Sequence, residues 1–237
     1  MLIPYNNASK NIIETQLFCY NFYMKNLIIF DMDGTLLYTL GDLQVSVNNA
    51  LLKFGYEQKT IDEIRSFVGN GVVKLIERAL PAGMDNPDFN GVFSTFLSEY
   101  EKNSEKTTRP YEGVITMLEE LKKKGFSLAV NSNKYDAAVQ ALRKKFFPQI
   151  DIAIGAREGF DVKPSPQGVL DIVKAFGVKF DSIYFVGDSD VDIMTAKNAR
   201  VISVGVSWGY RSKESLVVAG ADFIIDEPSE LLAILNN

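Results

Sequence analysis

Short apolar runs alternate with amphipathic segments over much of the chain, and three of the runs end in a polar side chain. Runs of this length and composition are typical of buried parallel strands whose C-terminal ends carry functional residues. The predicted strands cover residues 27–31, 127–131, 150–154, 182–188, 201–205 and 222–226.

Amphipathic patterns with helical spacing separate these runs. Segment 113–124 places its apolar residues on one stripe and stops at Gly125. Segment 165–176 begins with Ser165 as the expected N-cap and Pro166 in the first helical position. The positions expected to be buried in these helices are Val114, Met117, Leu118, Leu121, Val169, Leu170 and Val173. Strands that alternate with helices predict an α/β fold with a Rossmann-like, doubly wound parallel sheet.

A long stretch after the first strand lacks strand patterns and is predicted to be helical. Its helices cover residues 40–54, 60–67, 71–80 and 88–102. We therefore expect an N-terminal extension at 1–24, an α/β core formed by 25–37 and 109–237, and an inserted helical domain at 38–108. Met24 is an alternative start of the chain, since MKNLIIFDMDGT leads directly into the first strand.

The composition excludes several classes of protein. The 237 residues include no histidine and one cysteine, which excludes a Ser–His–Asp triad, an H-E-x-x-H zinc site and an internal disulfide. The net charge of −5 argues against a non-specific nucleic-acid binder. Since no apolar run approaches roughly 18 residues and no signal peptide is evident, we expect a cytoplasmic protein without membrane contact.

Four short motifs carry candidate chemistry, and each is expected at the C-terminal end of a strand or just before a helix. They read DMDGT at 31–35, NSNK at 131–134, KPSP at 163–166 and GDSDVD at 187–192. Alone, each has an ordinary structural explanation: a turn, a proline-initiated helix, or carboxylates at a helix N-terminus. Together they predict one site, because ligands of doubly wound sheets bind beyond the C-terminal ends of the strands.

The order of these motifs resembles that of the haloacid dehalogenase-like phosphohydrolases over residues 25–237, and the helical insertion is similar to their type 1 cap. Further segments resemble the phosphoglycolate phosphatase branch in particular. These are GDLQVSVNNALLKFGY, SFVGNGVVKLIERAL, RPYEGV, VGVSWGYR and GADFIIDEPSEL. The chain departs from the usual pattern in having Tyr38 where aspartate is frequent, Ser132 in place of threonine, and Arg200 in place of glycine.

The resemblance implies a nucleophile and a metal site. Asp31 would attack phosphorus and form an aspartyl phosphate, and an ordinary aspartate is already ionised at neutral pH. Mg²⁺ would be held by the carboxylates of Asp31 and Asp188 and by the backbone carbonyl of Asp33, since hard oxygen donors suit this cation. Asp192 would orient the metal shell or Lys163, either from behind the direct ligands or as a ligand through a water molecule.

The resemblance also implies roles for the remaining polar residues. Asp33 would act as general acid and then as general base. Ser132, Asn133 and Lys163 would bind the phosphoryl group, and Ser132 and Lys163 would share in catalysis with the two aspartates. The turn Gly69-Asn70-Gly71 is the candidate for recognising the organic part of the substrate.

The implied function is hydrolysis of a small phosphorylated metabolite, with 2-phosphoglycolate favoured. The same fold leaves open a pyrophosphatase, a nucleotidase, a sugar phosphatase or a β-phosphoglucomutase. A phospho-acceptor signalling module is a remote alternative, because receiver domains are about half as long and have no cap. Members with this cap occur as monomers and homodimers, and the sequence leaves both states open.

Overall fold

A computed structural model of the protein describes residues 26–103 and 105–235. Six parallel strands form the main sheet, in the order β5-β4-β1-β6-β7-β8. Two short antiparallel strands, β2 and β3, form a separate ladder. The strands are β1 (Asn26–Phe30), β2 (Leu37–Tyr38), β3 (Arg109–Pro110), β4 (Ser127–Tyr135), β5 (Ile152–Ala156), β6 (Ser182–Gly187), β7 (Ile202–Val206) and β8 (Phe223–Ile225).

Ten α-helices connect the strands in the described part of the chain. They are α1 (Leu40–Lys53), α2 (Ile61–Phe67), α3 (Val72–Ala79), α4 (Phe89–Asn103), α5 (Val114–Lys123), α6 (Asp136–Phe146), α7 (Gln167–Phe176), α8 (Asp190–Ala199), α9 (Lys213–Ala219) and α10 (Leu231–Leu235). No helix in the described ranges is long and apolar enough to cross a membrane.

The sheet places the end of β1 at its centre. All five residues of β1 are buried, and side chains on its two faces join two different apolar clusters. The chain leaves β1 toward β4 on one side and returns to β6 on the other, so the crevice beyond β1 lies where the strand order reverses. Such a reversal is where doubly wound sheets bind their ligands. The predicted α/β fold class is confirmed.

The helices α1 to α4 pack around a third apolar cluster, which also includes Tyr210 from the loop after β7. The β2–β3 ladder carries the chain into and out of this helical segment. Buried Asp42 in α1 joins the two connections, since it accepts hydrogen bonds from the backbone N–H groups of Thr107 and Thr108 at 2.8 and 2.9 Å. The division into extension, core and inserted domain stays a prediction, and residues 1–24, including Met24, lie outside the described residues.

Two details of the predicted elements are wrong. Helix α7 begins at Gln167 with Pro166 as its N-cap, and not with Ser165 in that position. Its buried stripe follows the spacing of Val169, Ile172 and Val173, which leaves Leu170 51% exposed. The face of α7 that packs on the sheet therefore decides which residues are buried. Leu170 lies off that face and stays exposed although it is apolar.

Strand β4 also extends four residues beyond its predicted end, to Tyr135. Its pairing with β5 shifts register between Asn131 and Tyr135. Such an irregularity re-aims side chains near sites at the edge of a sheet. The NSNK motif therefore lies in the strand itself and not in a loop after it.

Candidate active site

Asp31 follows β1 directly and lies buried at the centre of the crevice. Its backbone N–H donates to the carbonyl of Val186 in β6 at 2.9 Å, which continues the sheet pairing to the site. The ammonium of Lys163 lies 2.7 Å from Asp31 Oδ1. The structure thus brings together two of the predicted residues, which are 132 positions apart in the sequence (163 − 31).

Lys163 bridges two carboxylates. Its Nζ lies 2.6 Å from Asp192 Oδ1 as well as 2.7 Å from Asp31 Oδ1. The side chain of Asn133 fixes the backbone of Lys163, because Asn133 Oδ1 accepts from the Lys163 N–H at 2.8 Å and Nδ2 donates to its carbonyl at 3.0 Å. Asn133 therefore positions the lysine; its predicted contact with phosphate stays a prediction.

Asp192 is held at the start of α8. Its Oδ2 accepts from the N–H and the hydroxyl of Ser189, at 3.1 and 2.6 Å, in a capping box. Gly187 gives it room, since a Cβ there would lie 2.3 Å from the Asp192 side chain. Both carboxylate oxygens of Asp192 are thus engaged, which supports the predicted role behind Lys163.

Asp188 is held by Thr35 and Tyr210, for which the sequence predicted no role. Its Oδ2 accepts from the backbone N–H of Tyr210 at 2.7 Å, and its Oδ1 accepts from the Thr35 hydroxyl at 3.2 Å. A Cβ on Gly34 or Gly209 would come within 2.5 or 2.2 Å of the Asp188 side chain. The WGYR segment is therefore part of the site, although the sequence offered it only as a family resemblance.

Asp33 stands at the mouth of the crevice between two donors. The Thr39 hydroxyl donates to its Oδ1 at 2.7 Å, and Lys134 Nζ lies 3.0 and 3.1 Å from its two oxygens. The Thr39 hydroxyl also lies 2.9 Å from the hydroxyl of Tyr210. Lys134 belongs to the NSNK motif, but no role was predicted for it.

The pKa values of two buried carboxylates are raised. Burial raises the pKa of Asp31 to about 7; Lys163 opposes the shift, and Asp192 and Asp33 add to it. Burial also raises the pKa of Asp188 well above its usual range, and the negative charges of Asp192 and Asp31 raise it further. The expectation that Asp31 is ionised at neutral pH rests on the pKa of an ordinary aspartate, and burial without a bound cation shifts the pKa against it.

The donor set fits a divalent cation. Oxygens of Asp31, Asp188 and Asp192 all lie within 4.8 Å of one another, and the three residues are buried. Adding Asp33 gives four carboxylates, against the two ammonium groups of Lys134 and Lys163, so the formal charge of this group is 2 − 4 = −2. All the donors are oxygens, which suits Mg²⁺ better than zinc or copper.

A cleft opens from Asp31 and Asp33 toward the helical segment. Ser132, Asn133, Lys134 and Lys163 line its floor, and its opposite wall consists of Leu43, Val68, Gly69, Gly71, Val72 and Leu75. Gly69 and Gly71, two of the three residues predicted to recognise the organic part of the substrate, thus line the cleft. Asn70 does not line it, and its side chain instead accepts a hydrogen bond from Arg78 at 2.8 Å.

Two side chains from the core hold the wall loop. Asn133 Nδ2 donates to the Gly69 carbonyl at 3.1 Å. Arg211 donates to the carbonyls of Arg65 and Val68 at 2.9 and 2.6 Å. The wall of the cleft is therefore tied to both sides of the site, through the NSNK motif and through the loop that also binds Asp188.

Comparisons with known proteins agree with this arrangement. A family model of the haloacid dehalogenase-like hydrolases matches residues 28–206. The phosphoglycolate phosphatase of Vibrio parahaemolyticus is 33% identical over 227 residues, covering 88% of this chain and 95% of the relative. That of Aquifex aeolicus is 31% identical over 218 residues, covering 89% and 97% of the two chains.

A solved structure described as a predicted phosphoglycolate phosphatase from Haemophilus somnus is similar to this chain with a TM-score of 0.83 at 30% identity. The match covers 90% of this chain and 98% of that one. A match of the family model over most of the chain, together with relatives above 30% identity along nearly their whole length, shows that the chain belongs to the haloacid dehalogenase-like hydrolases, among the phosphatases of that family.

Proposed function

We propose that this phosphatase is a Mg²⁺-dependent phosphomonoesterase that hydrolyses a small phosphorylated metabolite through an aspartyl phosphate on Asp31, with 2-phosphoglycolate as the favoured substrate. The observation that carries the proposal is the buried Asp31 carboxylate, which contacts Lys163 and stands beside Asp188 at the floor of a cleft. The names of the relatives support the choice of substrate.

In the first step, an oxygen of Asp31 attacks phosphorus and the bond to the leaving oxygen breaks. The ammonium of Lys163 touches Asp31 and would offset the charge that gathers on the phosphoryl oxygens. Asp31 and Asp188 would hold Mg²⁺, which supplies further positive charge to the phosphoryl group when bound. Ser132 and Asn133 line the same floor, and the Ser132 hydroxyl and the backbone N–H of Asn133 would donate hydrogen bonds to that group.

Asp33 would act as the general acid and then as the general base. Its carboxyl would give a proton to the leaving oxygen, and the resulting carboxylate would take one from the water that attacks the phosphoenzyme. The second step releases phosphate and regenerates Asp31. Thr39 and Lys134 hold the Asp33 side chain at the mouth of the cleft, where a leaving group would stand.

The helical segment at 38–108 would act as the cap that closes over the substrate and excludes water. The turn Gly69-Asn70-Gly71 would read the organic part through backbone groups, because Gly69 and Gly71 line the cleft. The side chains of this wall offer no hydrogen bond to a nucleobase or a ribose, which favours a small leaving group over a nucleoside.

A screen of phosphate release tests the proposal. Phosphoglycolate, sugar phosphates, nucleoside monophosphates and pyrophosphate are compared with Mg²⁺ and with a chelator. We expect Mg²⁺-dependent turnover that is fastest with phosphoglycolate. Asp31→Asn should lower kcat at least about a thousandfold while the thermal unfolding transition persists. Asp62→Asn, an exposed aspartate in an ion pair with Arg65, is the control and should keep full activity. Near-normal activity of Asp31→Asn would contradict the nucleophile assignment.

A further inference from the structure

Lys134 is a cation in the cleft to which the proposed chemistry gives no role beyond holding Asp33. Its side chain is only 3% exposed, and its Nζ lies 3.0 and 3.1 Å from the two oxygens of Asp33. The same ammonium lies 4.7 Å from the centre of the Tyr100 ring, on helix α4. Lysine has three N–H donors; the contacts with Asp33 use two of them, and the Tyr100 hydroxyl faces the third. A ligand carboxylate would compete with this hydroxyl for the third donor.

The position of Asp33 fixes how far Lys134 is from the leaving group. A general acid must approach the leaving oxygen to about 2.6–3.2 Å. Since Lys134 Nζ is within 3.1 Å of Asp33, it lies no more than roughly 6 Å from that oxygen. A carboxylate on the next carbon places its oxygens about 3 Å from the leaving oxygen, so they come within hydrogen-bond reach of Lys134 when the carboxylate points toward it.

The rest of the cleft offers little else for an anionic leaving group. Lys163 is engaged by Asp31 and Asp192 at the phosphoryl end. The wall contributed by the helical segment presents four aliphatic side chains and two glycines. Among the described residues that line the cleft, Lys134 is therefore the one that can distinguish leaving groups by their charge.

We propose that Lys134 is a specificity-determining residue that binds a carboxylate on the carbon next to the phosphoester oxygen. The preferred substrates are then phosphomonoesters of small 2-hydroxy carboxylic acids. The proposal rests on the proposed function, because it takes Asp33 as the group that meets the leaving oxygen. The NSNK motif would then have two functions. Lys134 would bind the leaving group, and Ser132 and Asn133 would contact the phosphoryl group.

A purely structural role for Lys134 makes a different prediction. If the lysine only holds Asp33, its loss slows every substrate by the same factor. If it binds a carboxylate, its loss changes the ratio between substrates. The ratio of kcat/KM for 2-phosphoglycolate to that for ethyl phosphate isolates this effect, since the two differ by a carboxylate in place of a methyl group.

The experiment measures this ratio for the full chain and for Lys134→Gln, Lys134→Arg and Lys145→Gln. Lys145 is an exposed lysine paired with Glu105 and serves as the matched control. We expect the unaltered protein to prefer phosphoglycolate by about tenfold to a hundredfold, as for one charge-assisted hydrogen bond. Lys134→Gln should reduce the ratio to within about threefold of unity, whereas Lys134→Arg and Lys145→Gln keep most of it.

Binding gives a readout that does not depend on turnover. Calorimetry in the Asp31→Asn background compares the affinity for the same two phosphoesters, with and without Lys134→Gln. If Lys134→Gln does not fold, Asp33→Asn with Lys134→Gln replaces the ion pair by two neutral amides and should abolish the preference equally. An unchanged ratio in folded Lys134→Gln, or equal affinity for both esters in the Asp31→Asn background, overturns the proposal. Absence of turnover with every substrate overturns the proposed function, and the binding ratio still decides the role of Lys134.

Discussion

Gly34 shows how a residue without a side chain shapes the site. Its φ of +91° lies in the region that favours glycine, and a Cβ there would come 2.5 Å from Asp188 Oδ2. We expect Gly34→Ala to push the Asp188 carboxylate aside and to weaken the binding of Mg²⁺ by about tenfold to a hundredfold, as for other changes around a metal ligand. Titration of activity against Mg²⁺ concentration measures the effect.

Gly55 provides the control for this change. It has a similar φ of +79°, but a Cβ there meets nothing within 4 Å. Gly55→Ala therefore carries a similar backbone penalty, about 1–2 kcal/mol, without touching Asp188. If both variants lose the same affinity for Mg²⁺, the contact with Asp188 is not the cause.

Single residues also show what the family pattern could and could not predict. Arg200, which stands where glycine is common, adopts a left-handed φ of +57° at the end of α8, so the backbone keeps the shape that glycine would give. Tyr38, which replaces a frequent aspartate, packs under the guanidinium of Arg109 at 4.7 Å and against the edge of Tyr111. Both departures therefore affect local packing and leave the aspartates of the site in place.

Between elements, the loop after β7 links the carboxylate cluster around Asp188 to the wall of the cleft. Tyr210 donates its backbone N–H to Asp188, and the neighbouring Arg211 holds the carbonyls of Arg65 and Val68. We expect Arg211→Gln to loosen the wall loop and raise KM about tenfold with a smaller change in kcat, because two charge-assisted hydrogen bonds to the backbone are lost. Steady-state kinetics and amide hydrogen exchange at residues 66–72 measure the two consequences.

Arg157→Gln is the matched control for this loop. Arg157 lies 4.7 Å from the ring of Phe160, and it does not contact the wall loop in the described structure. Its loss should leave KM and the exchange rates at 66–72 unchanged. A rise in kcat alone, or unaltered exchange in Arg211→Gln, would contradict the role given to Arg211.

The elements that the sequence predicted well are those with a local cause. The buried run before Asp31 and the stripe of α5 are visible because each pattern lies within a few residues, and both are confirmed. The contacts of Asp188 with Tyr210 and of Asp33 with Lys134 join positions 22 and 101 residues apart, and such pairs leave no periodic pattern. The end of β4 was missed for a related reason, because polar side chains in a strand that enters a site look like a loop.

For the molecule as a whole, the buried charges make stability depend on pH in an unusual direction. Most carboxylates of folded proteins are stabilised in the charged form, but burial raises the pKa values of both Asp31 and Asp188. Between about pH 4 and pH 7, the folded chain keeps the Asp31 proton that the unfolded chain releases. The folded state therefore binds more protons, and its stability falls as the pH rises through this window.

Removal of the metal should expose this dependence, because a cation bound to Asp31 and Asp188 favours their charged forms. In a chelator, we expect the Tm to fall between pH 5 and pH 7.5. A hundredfold excess of Mg²⁺ over its Kd at each pH adds about 2.7 kcal/mol, or roughly 5–10 °C. At one fixed Mg²⁺ concentration the gain should be larger at pH 7.5, since binding at pH 5 must first displace protons.

The absence of histidine simplifies the interpretation of this test, because no imidazole titrates between pH 5 and pH 7.5. The carboxylates whose pKa values are lowered, among them Asp222 and Asp226, change charge below this window. Asp31→Asn should weaken the pH dependence in chelator without abolishing it, since the amide carries no proton to lose while burial still raises the pKa of Asp188. Thermal unfolding at matched ionic strength measures each case. A larger gain from Mg²⁺ at pH 5 than at pH 7.5 would show that the buried aspartates are not the groups that bind the cation.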